Sequence, residues 1–187
     1  DETILLDTDY LVLDDSLLKL FATDFDYQLM HHSINYREQL YESMGNTSLL
    51  FVWATVVLFR KTAKSQMFFD LIGRIQRNYN YYRLLYNISS GSYRNDYAFA
   101  IANNIINGYN LNEDQGIPWP MFTIEEPVVD MQVTGDSHIR VYHSEKANIV
   151  PFQNIHVMDK EYLQSNNFKQ MVESICGFKQ MVESICG

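Results

Sequence analysis

Ile4-Leu5-Leu6-Asp7-Thr8-Asp9-Tyr10 is the stretch on which the reading of the fold turns. Three apolar residues with no polar alternation read as a strand buried on both faces, as the strands of parallel sheets are. Two acids follow at once. Residues two apart in extended structure point the same way, so Asp7 and Asp9 are placed to converge on one hard cation as the strand ends. In open α/β sheets, ligands gather outside the carboxyl ends of the strands. Protein and phosphate oxygens can share the coordination sphere of a divalent ion, so an ion held there would grip a diphosphate. The alternative is a solvated turn, since an Asp-x-Asp triplet says little by itself. A buried parallel strand also needs neighbours on either side. A chain opening on one is expected to be the later part of a larger α/β domain.

Further along, Phe51 to Phe59 (FVWATVVLF) is rich in β-branched and aromatic residues and reads as a second buried strand. Thr62 then caps a long helix expected to run to about Tyr86. Met67, Phe68, Leu71, Ile72, Ile75, Tyr79 and Tyr82 supply its buried face at three-and-four spacing, with Arg74 and Arg77 largely off that face. Asn87 to Gly91 is a breaker segment. A helix starts at Asn95 or Asp96, buries Tyr97, Ala98, Ile101, Ala102, Ile105 and Ile106, and ends at Asn107-Gly108. Strands are expected near Met121–Ile124, Val128–Val133, Ile139–Tyr142 and Ile155–Met158. Residues 22–48 carry no clear period and read as a loop with a short helix or as an insertion that touches substrate. The order predicts an α/β fold, with a mixed, mostly parallel sheet flanked by helices and an antiparallel continuation.

Composition narrows the function. At 187 residues, 47% hydrophobic and 20% charged, the chain has enough apolar material for a packed core, and wholesale disorder is excluded. A net charge of −9 repels nucleic acid, and only the stretch from Arg74 to Arg94 gathers basic residues. The longest apolar run, Leu49 to Phe59, is about half the ~20 residues a membrane-crossing helix needs. No secretory signal is expected, so a cytoplasmic location is. There is no glycine-rich phosphate loop, no nucleophile elbow and no zinc-type cysteine spacing. Residues 1–167 read as part of one domain. Phe168 to Gly177 and Phe178 to Gly187 are the same ten residues, FKQMVESICG, in tandem. Structural repeats diverge and are longer, so this tail reads as one segment placed twice. Cys176 and Cys186 then count as one cysteine, which suits a reducing compartment. Asn46 and Asn87 match the glycosylation pattern, a match common by chance.

Four stretches, taken in order, carry a resemblance. Ile4 to Tyr10 resembles the Asp-x-Asp motif of the GT-A-fold glycosyltransferases, the nucleotide-diphospho-sugar transferases. Trp53 to Lys61 is similar to the family's strand after its insertion. Arg94 to Ala102 resembles the segment that opens the next helix in glycogenin-like members. Ile155 to Lys160 resembles the C-terminal strand whose histidine completes the metal site in many members. The similarity spans about residues 3 to 160 and lacks the family's first, nucleoside-holding half.

The resemblance implies a GT-A-like fold and transfer of a sugar from a nucleotide-diphosphate donor, a UDP-sugar foremost, to an acceptor it does not identify. Asp7, Asp9 and His156 would hold Mn²⁺ or Mg²⁺, with the nitrogen ligand favouring manganese. His156 as a structural histidine is the alternative. Trp53 and Thr55 fall at donor-contact positions, where the family usually carries small or amide residues. Lys160 would touch phosphate or be ordinary surface charge. Asp96 would contact the donor sugar or an acceptor hydroxyl, or serve as base in an inverting enzyme; its plain role would be a helix cap. His138 and His143 read as structural. Two other functions share the fold: a non-catalytic binding or assembly scaffold, and a sugar nucleotidyltransferase. A homo-oligomer is left open.

Overall fold

A computed structural model describes residues 1–36, 40–41, 49–110, 116–134, 137–144 and 146–175. Cys176, Cys186, Asn46 and the second copy of the ten-residue tail lie outside the described residues. In chain order the first elements are β1 (Glu2–Leu6), β2 (Tyr10–Leu11), a 3-10 helix (Ser16–Ala22), β3 (Tyr27–Met30), β4 (Ser33–Ile34), β5 (Leu40–Tyr41) and β6 (Trp53–Arg60). Then come α1 (Ala63–Arg77), α2 (Tyr79–Leu85), α3 (Asn95–Ile106), β7 (Met121–Ile124), β8 (Asp130–Thr134), β9 (His138–Tyr142), β10 (Ala147–Pro151), β11 (Ile155–Val157) and α4 (Lys160–Leu163). A last helix covers residues 166–175. The chain is mixed α/β and gathers into two compact units. Unit 1 comprises Asp1–Thr8, Asp15–Ile34 and Gln39–Met121, and unit 2 comprises Asp9–Asp14, Asn35–Glu38 and Phe122–Gly187.

Unit 1 is built on β6. Its Val56, Val57 and Leu58 are fully buried, as the apolar run predicts. β6 is the middle strand of a three-stranded sheet in the order β1-β6-β3, and both neighbours run antiparallel to it. The expected mostly parallel sheet is therefore corrected: most strand pairs here are antiparallel. β1 is not buried on both faces either. It is the outer strand, paired Leu5 to Val57, and Leu5 is 44% exposed. An apolar edge strand and a buried parallel strand share one sequence signature, and the pairing partner separates them. That burial was also the ground for expecting partner strands upstream. β3 was not anticipated. All four of its residues are buried, including Gln28, whose amide donates to Gly116 O at 3.3 Å and accepts from Thr23 Oγ1 at 2.9 Å.

The helices cover that sheet. Thr62 caps α1 as expected, its Oγ1 accepting from Ser65 N at 3.2 Å. Phe68, Ile72 and Ile75 form the buried face, and Phe68 stacks on Tyr27 at 4.4 Å between ring centroids. Met67 is 52% exposed and does not belong to that face. The single helix expected to reach Tyr86 breaks at Asn78 into α1 and α2. At Asn78 the backbone leaves helical geometry (φ −123, ψ 32), while its N–H still donates to Arg74 O at 3.1 Å and its Nδ2 donates to the same oxygen at 2.9 Å. α3 is buried at every residue from Ala98 to Asn104. Gly108 at φ +62 and Tyr109 at φ +60 end it in the left-handed region, as the Asn107-Gly108 pair predicts.

Unit 2 holds an antiparallel meander, β8-β9-β10, in which Asp130 pairs with Tyr142 and Val150 with Ile139. The expected strands near 121–124, 128–133, 139–142 and 155–158 are present within a residue or two, and β10 is additional. β11 lies between β2, antiparallel to it, and residues 122–124 of β7, parallel to it. Ile155 and Val157 are fully buried. Asp159 caps α4, accepting from Glu161 N and Tyr162 N at 3.1 Å each through Oδ1 and from Val128 N at 2.8 Å through Oδ2. These backbone donors, Val128 first, hold its carboxyl below the usual carboxylate range.

Candidate functional site

The residues expected to carry function fall into two groups, one in each unit. In unit 2, Asp9 directly precedes β2 and is tied to β11 by a hydrogen bond from Val157 N to Asp9 O at 2.9 Å. Register then sets His156 opposite Tyr10. With the two short strands fixed, the Asp9 carboxylate and the His156 imidazole face each other, Oδ1 to Nε2 at 3.4 Å. The other ring nitrogen of His156, Nδ1, lies 3.4 Å from Thr123 Oγ1 on the parallel neighbour strand. Lys160, the first residue of α4, brings its ammonium to 3.8 Å from Asp9 Oδ2 while its side chain stays 75% exposed.

Burial makes this cluster unusual. Asp9 is 6% and His156 5% exposed. Asp9 Oδ1 is buried and accepts no hydrogen bond, and its contact with the imidazole nitrogen at 3.4 Å is an ion pair when His156 is protonated. A buried carboxylate oxygen without a donor costs roughly 1–3 kcal/mol and is rare in folded proteins. Nitrogen and oxygen ligands of one divalent ion sit about 2.0–2.2 Å from it and hence roughly 3–3.5 Å from each other. The 3.4 Å between Asp9 Oδ1 and His156 Nε2 falls within that range. The expected trio is not assembled: among the described residues no three or more His, Cys, Asp or Glu side chains could share a metal. Asp7 is exposed and its Oδ1 already accepts from Thr8 N at 2.8 Å. Asp7 and Asp9 do not share a strand face, because the chain leaves the strand at Asp7 and turns through Thr8 and Asp9.

Sequence patterns did not mark Thr123 or Asn154. Asn154 Oδ1 accepts from Leu13 N at 2.6 Å and Asp14 N at 2.9 Å, fixing the turn that follows β2. Burial, with Asp14 adding to it, pushes the Tyr10 phenol up to about 12 despite its hydrogen bond to Asn154. His143 Nδ1 contacts Pro127 O at 2.9 Å and His138 Nδ1 contacts Ser137 Oγ at 2.8 Å.

Unit 1 carries Asp96, Trp53 and Thr55. Asp96 does not cap α3: Arg94 is the capping residue, and no side chain closes that end. Instead Asp96 Oδ1 accepts from Ala54 N on β6 at 3.0 Å, and Oδ2 pairs with the Arg94 guanidinium at 2.6 Å. Both oxygens are thus engaged, and the carboxylate pins the first turn of α3 to β6. Trp53 and Thr55 flank Ala54 and are buried, Trp53 with its ring edge-on to Phe51 at 5.1 Å. Thr55 O accepts from Asp7 N at 2.9 Å, extending the pairing of β1 with β6 by one rung. Two grooves on unit 1, one along α1 and the end of α3 and one at the α1–α2 junction, are lined by other residues. No helix among the described residues is long and apolar enough to cross a membrane.

Compared with protein-family models, with curated proteins and with solved structures, the chain finds no match in any of the three.

Proposed function

We propose that the chain is a glycosyltransferase that takes its sugar from a nucleotide-diphosphate donor, with Asp9 and His156 as the protein ligands of a divalent ion. The observation that carries this reading is Asp9 Oδ1, buried, without a hydrogen bond and 3.4 Å from His156 Nε2. The order of the four family-like stretches supports it. The ion, when bound, would offset the negative charge that grows on the leaving diphosphate as the bond to the sugar breaks. Asp9 supplies charge from a site screened from water, where Coulomb attraction is stronger than at the surface. His156 supplies a neutral nitrogen whose orientation Thr123 Oγ1 helps set. Lys160, exposed at the rim, is placed to meet a phosphate oxygen, and its pairing with Asp9 at 3.8 Å is loose enough to exchange. Asp9 and His156 would be the protein's share of the ligands, and phosphate oxygens of the donor would be the hard oxygen partners such an ion takes. Asp96, with both oxygens occupied, positions α3 against β6 in this reading.

One observation favours the scaffold alternative: Lys160 already places a positive charge beside Asp9, as it would in a purely structural ion pair. Calorimetry separates the two. UDP-glucose should bind in the presence of Mn²⁺ and lose most of its affinity when the metal is chelated. Asp9→Asn and His156→Ala should each remove the metal-dependent part, and Asp7→Asn should weaken it less. Binding indifferent to metal and to Asp9 would favour the scaffold.

A further inference from the structure

At the junction of α1 and α2 the polarity of the surface reverses. The chain as a whole carries −9, yet from Leu71 to Asn95 it holds four arginines (Arg74, Arg77, Arg83 and Arg94) and no Asp or Glu. The same stretch holds five tyrosines. Where α1 breaks at Asn78, an open groove of about 430 Å³ lies between the helix junction and the segment around Gly91 and Tyr93. No acid lines it. The groove is held in shape by Tyr79, which is buried, sets its ring edge-on to Tyr93 at 5.5 Å and donates from its hydroxyl to Ser90 O at 3.2 Å.

We infer that this groove binds an acidic saccharide. Arg77 lines it and has no hydrogen bond or ion pair among the described residues, so its planar fork is free to take a carboxylate or phosphate with two parallel hydrogen bonds. Tyr81, 65% exposed, offers an aromatic face of the kind that takes the apolar face of a sugar ring, and its hydroxyl is a polar handle. Asn78 and Asn80 also line the groove with amides that can donate and accept, matching hydroxyl groups. Arg83 stays beside them, its Nε donating to Asn80 Oδ1 at 3.0 Å. Nucleic acid would use the same arginines, but the excess of acid elsewhere on the chain repels a long polyanion more than a short one. The inference does not depend on the metal reading of Asp9.

Gly91 provides a clean obstruction. A Cβ built on it meets nothing within 4 Å, and its backbone is outside the left-handed region, so a large side chain can stand there unstrained. The test is a calorimetric titration of the full chain with oligogalacturonate, with neutral maltohexaose and single-stranded oligothymidylate as comparisons. Oligogalacturonate should bind, and maltohexaose should bind at least about tenfold more weakly, the loss of one charge-assisted contact. Arg77→Gln should weaken oligogalacturonate by a similar factor, Gly91→Trp should abolish its binding, and Asp9→Asn should leave it unchanged. Circular dichroism checks that each variant folds, and Tyr81→Ala replaces either one that does not. The proposal is overturned if oligogalacturonate does not bind, if maltohexaose or oligothymidylate binds as tightly, if the groove variants bind like wild type, or if Asp9→Asn removes binding.

Discussion

Asp96 of unit 1 and Asp9 of unit 2 are both shielded carboxylates beside a strand, their side chains 14% and 9% exposed. Asp96 spends one oxygen on the Ala54 amide and the other on Arg94. Asp9 keeps one buried oxygen without a donor and faces an imidazole and a loosely held ammonium. A carboxylate satisfied on both sides contributes to the fold. One left short of donors weighs against it, and such groups concentrate where a ligand completes them. In the proposed reading the first acid builds and the second binds, and that contrast can be attacked from either side.

The largest expected effect concerns the scaffold that Asp96 serves. Phe68 is fully buried between Tyr27 and Phe99, so Phe68→Ala should destabilise the chain by about 3–5 kcal/mol in urea unfolding. A loss below about 1 kcal/mol would show that α1 is not packed as described. Next comes Asp96→Ala, which strands the Ala54 amide and should cost about 1–3 kcal/mol. If this variant were as stable as wild type, the building half of the contrast would fail.

Asp159→Ala should cost about 1 kcal/mol at pH 7, since Asp159 caps α4 and also accepts from Val128. The carboxyl of Asp159 titrates lower in the folded chain than in the unfolded one. Its stabilisation is therefore complete above the unfolded value of about 3.9 and is lost as pH falls through the folded pKa. The gap between wild type and variant should close on acidification, and a gap that widens would contradict the capping geometry. The smallest loss is expected for Asp9→Asn, which should leave stability unchanged or raise it, because a buried carboxylate oxygen without a donor weighs against the fold. A loss as large as that of Asp96→Ala would make Asp9 a structural residue and erase the contrast.

How far these features could be seen in the sequence follows from the range of the interactions that fix them. β6 and the start of α1 were legible because β-branched density, three-and-four spacing and the Thr62 cap are local. The break at Asn78 is not legible because apolar spacing runs on through it while the backbone turns to φ −123 and ψ 32. β3 was hidden by Gln28, which looks exposed until Thr23 and Gly116 are seen to satisfy it. β1 was assigned the wrong neighbours because an apolar triplet does not reveal whether it lies at the edge of a sheet. At the candidate site, Asp9 was legible as an acid after a strand, whereas the turn at Thr8 that separates it from Asp7 was not. His156 came only from the family resemblance. The anchoring role of Asp96 depends on an amide 42 residues away, which no local pattern marks.

In the function we propose, Asp9 and His156 together hold a divalent ion that a nucleotide diphosphate helps to coordinate. Electron paramagnetic resonance of Mn²⁺ measures it directly, because the signal of the free aqueous ion fades as the ion is bound. Titrating the chain into Mn²⁺ with UDP present should deplete that signal, and Asp9→Asn or His156→Ala should each restore it while leaving the circular dichroism unchanged. Depletion that persists undiminished in both variants, or no depletion with the wild-type chain, would contradict the claim.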